Sequence, residues 1–320
     1  MFAKLLPKWT AVWAVAFAVV AIGCGPGQSP DSADEAAGDA RIGPLKVTTT
    51  IGMIADVARN IAGEHAEVTA LMGPGVDPHL YKAKVSDLKS LGEADVILYN
   101  GIHLEGKMAD TLVDMSGRVA TVRVTESVPE ELLREPPEFA GQYDPHIWFD
   151  VSMWKYCAER IRDALIEHDP EHADVFSANA EAYLAKMDEL HAYAQTRLAE
   201  VPESERILVT AHDAFGYFGQ AYGVEVLGIQ GISTASEAGL QDIGELIHVI
   251  VDRGVKAVFV ESSVSRKSVD ALVAGVQGNG HDIKVGGELF SDAMGEDGTL
   301  EGTYIGMVRH NVDTIVNALK

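Results

Sequence analysis

Basic residues are scarce in this chain. Its 320 residues carry 25 Lys and Arg against 48 Asp and Glu, a formal charge of −23. That balance excludes a nucleic-acid binder and a site for anionic phosphates, and it weakly raises the local concentration of cations. Most of the carboxylates serve solubility. No His-Glu-x-x-His is present, so the commonest local zinc-hydrolase signature is missing. No short internal repeat occurs. Hydrophobic residues nevertheless make up 47% of the chain, enough for packed cores and too many for a disordered one.

The only long apolar run, Trp9 to Ile22, is too short for a comfortable transmembrane helix. Lys4 and Lys8 precede it and Ala-Ile-Gly-Cys at 21–24 ends it, the layout of a secretory signal. A Cys directly after small residues resembles a bacterial lipobox, although Ala21 stands where Leu is usual. Residues 1–23 are read as a signal peptide and Cys24 as a lipidated N-terminus, with cleavage at an ordinary signal site as the alternative. Loss of the leader makes the mature chain about two units more negative. Residues 24–43, rich in Gly, Pro, Ser, Asp and Ala, read as a flexible tether. With Cys24 lipidated, Cys157 has no internal partner and reads as a small buried apolar residue.

Beyond the tether, β-branched and apolar strands alternate with helical spacing. Strands are expected at 45–50, 68–72, 94–99 and 119–124, then at 207–210, 224–229, 257–260 and 283–285. This alternation predicts an α/β fold of two lobes, each a mostly parallel sheet flanked by helices. Residues 126–141, rich in Pro and Glu, read as a loop. Residues 170–200 contain no Gly or internal Pro and predict one long helix on the order of 45 Å, enough to cross a two-lobed molecule. Its apolar positions include Val175, Ala178, Ala182, Ala185, Leu190, Tyr193 and Leu198. The expected domains are an N-terminal lobe at 44–169, a linker helix at 170–202 and a C-terminal lobe at 203–320.

Four polar segments follow strands or fill the loops between them. Gly-Val-Asp-Pro-His-Leu-Tyr at 75–81 carries His79, and Asp-Pro-His-Ile-Trp-Phe-Asp at 144–150 carries His146. Thr-Ala-His-Asp at 210–213 carries His212, and Phe-Ser-Asp at 290–292 carries Asp292. Spacing alone leaves two readings open, a metal site or a set of caps and packing residues. The doubled Asp-Pro-His favours the first. Proline fixes its own φ and holds the preceding Asp extended, which places the following imidazole on a stiff backbone. Three neutral imidazoles and a carboxylate suit zinc, and also manganese if both carboxylate oxygens bind.

The sequence closely resembles the metal-specific solute-binding proteins of ABC importers that take up zinc and manganese, and most of all their treponemal-type branch. The resemblance runs from about Leu45 to Leu319. It is carried by Gly-Ile-Ser-Thr-Ala-Ser-Glu-Ala-Gly at 231–239, Val-Glu-Ser-Ser at 260–263 and Gly-Gly-Glu-Leu-Phe-Ser-Asp-Ala-Met at 286–294. It implies two α/β lobes bridged by one rigid helix, with His79, His146, His212 and Asp292 as metal ligands. It further implies a non-enzymatic, extracytoplasmic protein, anchored at Cys24, that passes Zn2+ or Mn2+ to a membrane permease. The third ligand here is His212, where manganese-dedicated members carry Glu. The acidic loop 126–141 lacks the histidines of many zinc-dedicated members. The other eight histidines have no matching role. Asp77 and Asp144 are expected to orient a ligand or form a turn, and Glu261 to support the site or cap a strand. Trp148 and Phe149 are expected to wall the site. Rival readings are a surface lipoprotein acting as adhesin and a secreted zinc hydrolase.

Overall fold

The structure, a computed structural model, describes residues 43–139, 141–236 and 239–320. The leader, Cys24 and the tether lie outside these. Four parallel strands come first: β1 (Leu45–Thr49), β2 (Ala66–Ala70), β3 (Val96–Tyr99) and β4 (Ala120–Arg123), in spatial order β2-β1-β3-β4. Between them run α1 (Gly52–Ala62), α2 (Val85–Glu93) and α3 (Ala109–Ser116). A second parallel sheet repeats the plan with β5 (Ile207–His212), β6 (Glu225–Gln230), β7 (Ala257–Glu261) and β8 (Lys284–Leu289), in order β6-β5-β7-β8. Its helices are α6 (Gly216–Tyr222), α7 (Leu240–Arg253), α8 (Lys267–Gly278) and the terminal α9 (Tyr304–Leu319). Each chain path leaves its sheet's centre in one direction, returns and continues in the other. That leaves a crevice beyond the carboxyl ends of the central strands.

The sheets are joined through α4 (Val151–His168) and α5 (Ala173–Leu198). Asp150 caps α4, its carboxylate accepting the Ser152 and Met153 amides. A single 3-10 turn at Pro170–His172 precedes α5, whose 26 residues span about 39 Å. Its buried face is Phe176, Ala180, Tyr183, Met187, Leu190, Ala194 and Leu198, at steps of three or four. This corrects the stripe expected from sequence. Of the seven expected positions only Leu190 and Leu198 are buried, while Val175, Ala178, Ala182 and Ala185 face solvent. The expected strand at 68–72 lies two residues earlier. Leu71 and Met72 extend past it, their amides bonded to the Thr49 and Thr50 carbonyls. The expected loop 126–141 holds short 3-10 turns.

One apolar core runs from Leu45 through the α5 face to Leu208, Phe259, Tyr304 and Leu319, so it joins both sheets. The outer face of the second sheet has its own smaller cluster around Val209, Val258, Leu272 and Ile250. A buried carboxylate pins the junction. Asp56 on α1 accepts the Tyr183 hydroxyl of α5 at 2.8 Å and the Tyr304 amide at the start of α9 at 3.1 Å. Burial raises its pKa, against these hydrogen bonds. Cys157 is a buried free thiol, as expected.

Candidate metal centre

His79 sits in the loop between β2 and α2, and His146 between β4 and α4. His212 is the last residue of β5, and Asp292 follows β8 by three positions. All four therefore stand at the carboxyl ends of their sheets, where the crevices open toward each other. Each offers one ligand atom, and these atoms lie within 4.8 Å of one another. His79 is 4% exposed, Asp292 1%, and the other two are fully buried.

The spacing is that of a small coordination shell. Nε2 of His79 and Nε2 of His146 are 3.2 Å apart. Asp292 Oδ1 lies 3.4 Å from His146 Nε2, and Oδ2 lies 3.3 Å from His212 Nε2 and 3.6 Å from His79 Nε2. Four donors about 2.1 Å from a common tetrahedral centre would be about 3.4 Å apart. Both Asp292 oxygens and His212 Nε2 are buried with no hydrogen-bond partner. Buried polar atoms left so cost on the order of 1–3 kcal/mol each, an expense that a shared cation removes.

Two of the rings are held by carboxylates. Nδ1 of His146 donates to Asp144 at 2.7 Å, and Nδ1 of His212 donates to Glu261 at 2.5 Å. A carboxylate only accepts, so each pair fixes a proton on Nδ1 and, when the ring is neutral, aims the Nε2 lone pair at the centre. Arg134 neutralises the other Asp144 oxygen at 2.5 Å. Tyr217 donates its hydroxyl to the Asp144 carbonyl and accepts the Arg134 amide. A Cβ at Gly216 would meet the Arg134 guanidinium, so a larger residue there would make that side chain shift. No carboxylate holds Nδ1 of His79 among the described residues.

Asp-Pro-His works the same way twice. Asp77 Oδ1 accepts the His79 amide at 2.9 Å, and Asp144 Oδ1 accepts the His146 amide at 3.0 Å. Each is a side-chain turn made possible by the proline between. Trp148 packs its ring edge-on to His146, with centroids 5.3 Å apart, and donates Nε1 to the Ser291 carbonyl beside Asp292. Phe149 stacks on Phe215. Both are buried; Trp148 walls the centre as expected, while Phe149 packs behind it against Trp148 and Phe215.

Electrostatics separates the rings. Burial dominates at His79 and lowers its pKa to about 3. Burial also pulls on His146, but Asp144 and Asp292 outweigh it and raise the pKa to about 9. His212, likewise buried, is held well above the ordinary value by Glu261 and Asp292. Asp292 is buried too, yet the two charged imidazoles hold it well below the carboxylate range.

Sequence reasoning missed Asn100, Glu105 and Arg134. Glu105, fully buried, accepts the Thr50 hydroxyl at 2.7 Å and the Asn100 and Gly101 amides at 2.8 and 3.0 Å. It pins a left-handed turn in which Gly101, Ile102 and His103 all have positive φ, a costly state for a β-branched residue. Asn100 then donates to the Pro145 carbonyl next to His146 at 3.1 Å. The Asn-Gly pair directly after an apolar strand was the readable sign of that turn. The remaining eight histidines lie outside the centre. Among them, His65 and His172 stack on each other, and His310 meets the Glu288 carbonyl.

Two parallel sheets, a long helix between them and, among the described residues, one buried three-imidazole, one-carboxylate cluster define a helix-bridged binding protein with a small polar centre. The chain belongs to the family of the periplasmic component A of zinc-uptake complexes, whose profile matches residues 47–318. It is 48% identical over 308 residues to the manganese-binding lipoprotein MntA of Bacillus subtilis (strain 168), covering 96% of this chain and 98% of that protein. It is 50% identical over 287 residues to the zinc-binding protein TroA of Treponema pallidum (strain Nichols), covering 89% and 91%. The solved structure of the periplasmic zinc-binding protein TroA from Treponema pallidum superposes with a TM-score of 0.84 at 49% identity, covering 87% of this chain and 99% of that one.

Proposed function

We propose that this chain is the solute-binding component of an ABC importer. It captures one manganese or zinc ion through His79, His146, His212 and Asp292 and hands it to a membrane permease. The observation that carries this reading is the convergence of four buried donors with unpartnered oxygens and nitrogen at coordination spacing. Four protein ligands close the shell, which suits capture and delivery. A catalytic metal keeps a position open for water or substrate, so the arrangement argues against hydrolysis. Cys24 is proposed as the lipid anchor that keeps the protein extracytoplasmic at the membrane. Of the two relatives named above, one carries manganese in its name and the other zinc. The ability of Asp292 to offer both oxygens accommodates either ion.

The test is competition titration of metal-free protein with manganese and zinc, paired with uptake by a deletion strain complemented with the wild type or with Asp292→Ala. The expected outcome is one ion per chain and uptake only with the wild type. Equal uptake by both strains overturns the reading. Because most donor sets favour zinc over manganese, the uptake assay decides the metal.

A further inference from the structure

The ligand His79 differs from the other three in what holds it. It stands nine residues beyond the end of β2, has no carboxylate on its Nδ1 among the described residues, and alone among the four imidazole and carboxylate ligands exceeds 1% exposure. Its loop is tied to its own sheet by the Leu71 and Met72 amides. Tyr81 ties it to α2 through Asp87 at 2.6 Å. To the half of the molecule that carries His212 and Asp292, residues 71–84 make one hydrogen bond among the described residues. Thr234 donates its hydroxyl to Asp77 Oδ2 at 2.6 Å. The other oxygen of the same carboxylate accepts the His79 amide at 2.9 Å. Asp77 therefore couples the backbone of a ligand directly to a residue across the crevice.

The Thr234 side is anchored as well. Ile232 is buried, the Ala235 amide meets the Ser233 hydroxyl, and the Gly231 carbonyl lies against the Asp213 amide next to His212. Several other cross-links are of another kind. Asp56 with Tyr304, Trp148 with Ser291, and Tyr217 with Asp144 are buried and lie behind the centre or around His146. If the two halves part while this apolar junction stays intact, the contact available to break first is the one at Asp77.

We infer that the Thr234–Asp77 hydrogen bond is the latch that holds His79 against the other three ligands, and that its opening sets how fast the ion leaves. This rests on the proposed metal site and adds to it a positioning residue that touches no ion. A charged hydrogen-bond acceptor that is half-buried makes a bond strong enough for its loss to change the escape rate by about tenfold or more. The hydroxyl stands apart from the donor set, so its loss should leave ligand identity and capture rate as they are.

The experiment uses the full mature chain loaded with cobalt(II) as a spectroscopic probe and with zinc for kinetics. Wild type, Thr234→Val and Thr234→Ser are compared by stopped-flow transfer of zinc to excess chelator. The expected result is release about tenfold or more faster in Thr234→Val and near the wild-type rate in Thr234→Ser. The cobalt ligand-field spectrum and the association rate should match the wild type in both, and both metal-free variants should melt cooperatively. Equal release from wild type and Thr234→Val overturns the latch, as does equal acceleration in Thr234→Ser or a changed cobalt spectrum in Thr234→Val. A wild-type chain that binds no metal, or Asp292→Ala that binds it normally, would instead overturn the site itself.

Discussion

The two halves of the molecule use one strand plan and build their proposed ligands differently. In the C-terminal half His212 belongs to β5, its partner Glu261 ends β7, and Asp292 lies three residues past β8. All three are nearly or fully buried. In the N-terminal half both histidines stand on long loops, and stiffness comes from devices added along the way. These are the two Asp-Pro-His turns, the Glu105-pinned turn under Pro145 and the Arg134 brace on Asp144. A rigid base and an adjustable cover serve capture and release better than two rigid halves, since the cover can move without rebuilding the base.

The sharpest break in that comparison comes at the base. Asp292→Ala removes the only negative ligand and both orphaned oxygens, and should weaken zinc binding by about two orders of magnitude or more. Loss of less than tenfold, measured by chelator competition, would contradict the role given to it. Next come the carboxylates behind the rings. Glu261→Gln and Asp144→Asn should each cost about 10–100-fold in affinity while leaving one ion per chain. Affinities within twofold of wild type would show that the rings aim themselves.

Proton linkage separates His79 from the other two rings. His146, raised to about 9, and His212, raised as well, hold protons in the metal-free protein at pH 7, and an ion must displace them. His79, lowered to about 3, is already neutral and contributes no proton. Affinity should therefore fall as pH drops below about 9, by about tenfold per pH unit for each displaced proton. Calorimetry in buffers of different ionisation enthalpy should find up to about two protons released near pH 7. The metal-free protein has the opposite trend. A raised pKa gives stability that is complete below the ordinary imidazole value of about 6.5 and is lost as pH rises through about 9. Its melting temperature should fall from pH 6.5 to 9, and a rise across that window would refute the charged-imidazole picture.

The smallest effect belongs to the junction both halves share. Asp56→Asn disturbs the Tyr183 and Tyr304 contacts and should lower stability by about 1–3 kcal/mol. Zinc affinity should stay within about twofold. Denaturant melts and competition titration of the same sample check both.

Much of this was readable beforehand, for identifiable reasons. Strand β3 and the first four residues of β7 are unbroken apolar runs, the mark of parallel sheets covered on both faces. The face of α5 was misread because alanine packs or faces water with little cost, so Ala178 and Ala182 looked apolar but stayed outside. For the site, the repeated Asp-Pro-His was a physical signal, and its turns form as expected. The bringing together of His79, His146, His212 and Asp292 depends on tertiary geometry over 213 positions. Only the family resemblance could anticipate that. Glu105 and Arg134 were illegible because their work is done on backbone atoms and on another side chain, across the fold.

The most direct test is a crystal structure of the protein loaded with zinc or manganese, with data recorded on both sides of the metal's absorption edge. One anomalous peak is expected, about 2.0–2.2 Å from Nε2 of His79, His146 and His212 and from the Asp292 carboxylate. A peak bound elsewhere, or a shell lacking any of these four residues, would contradict the account.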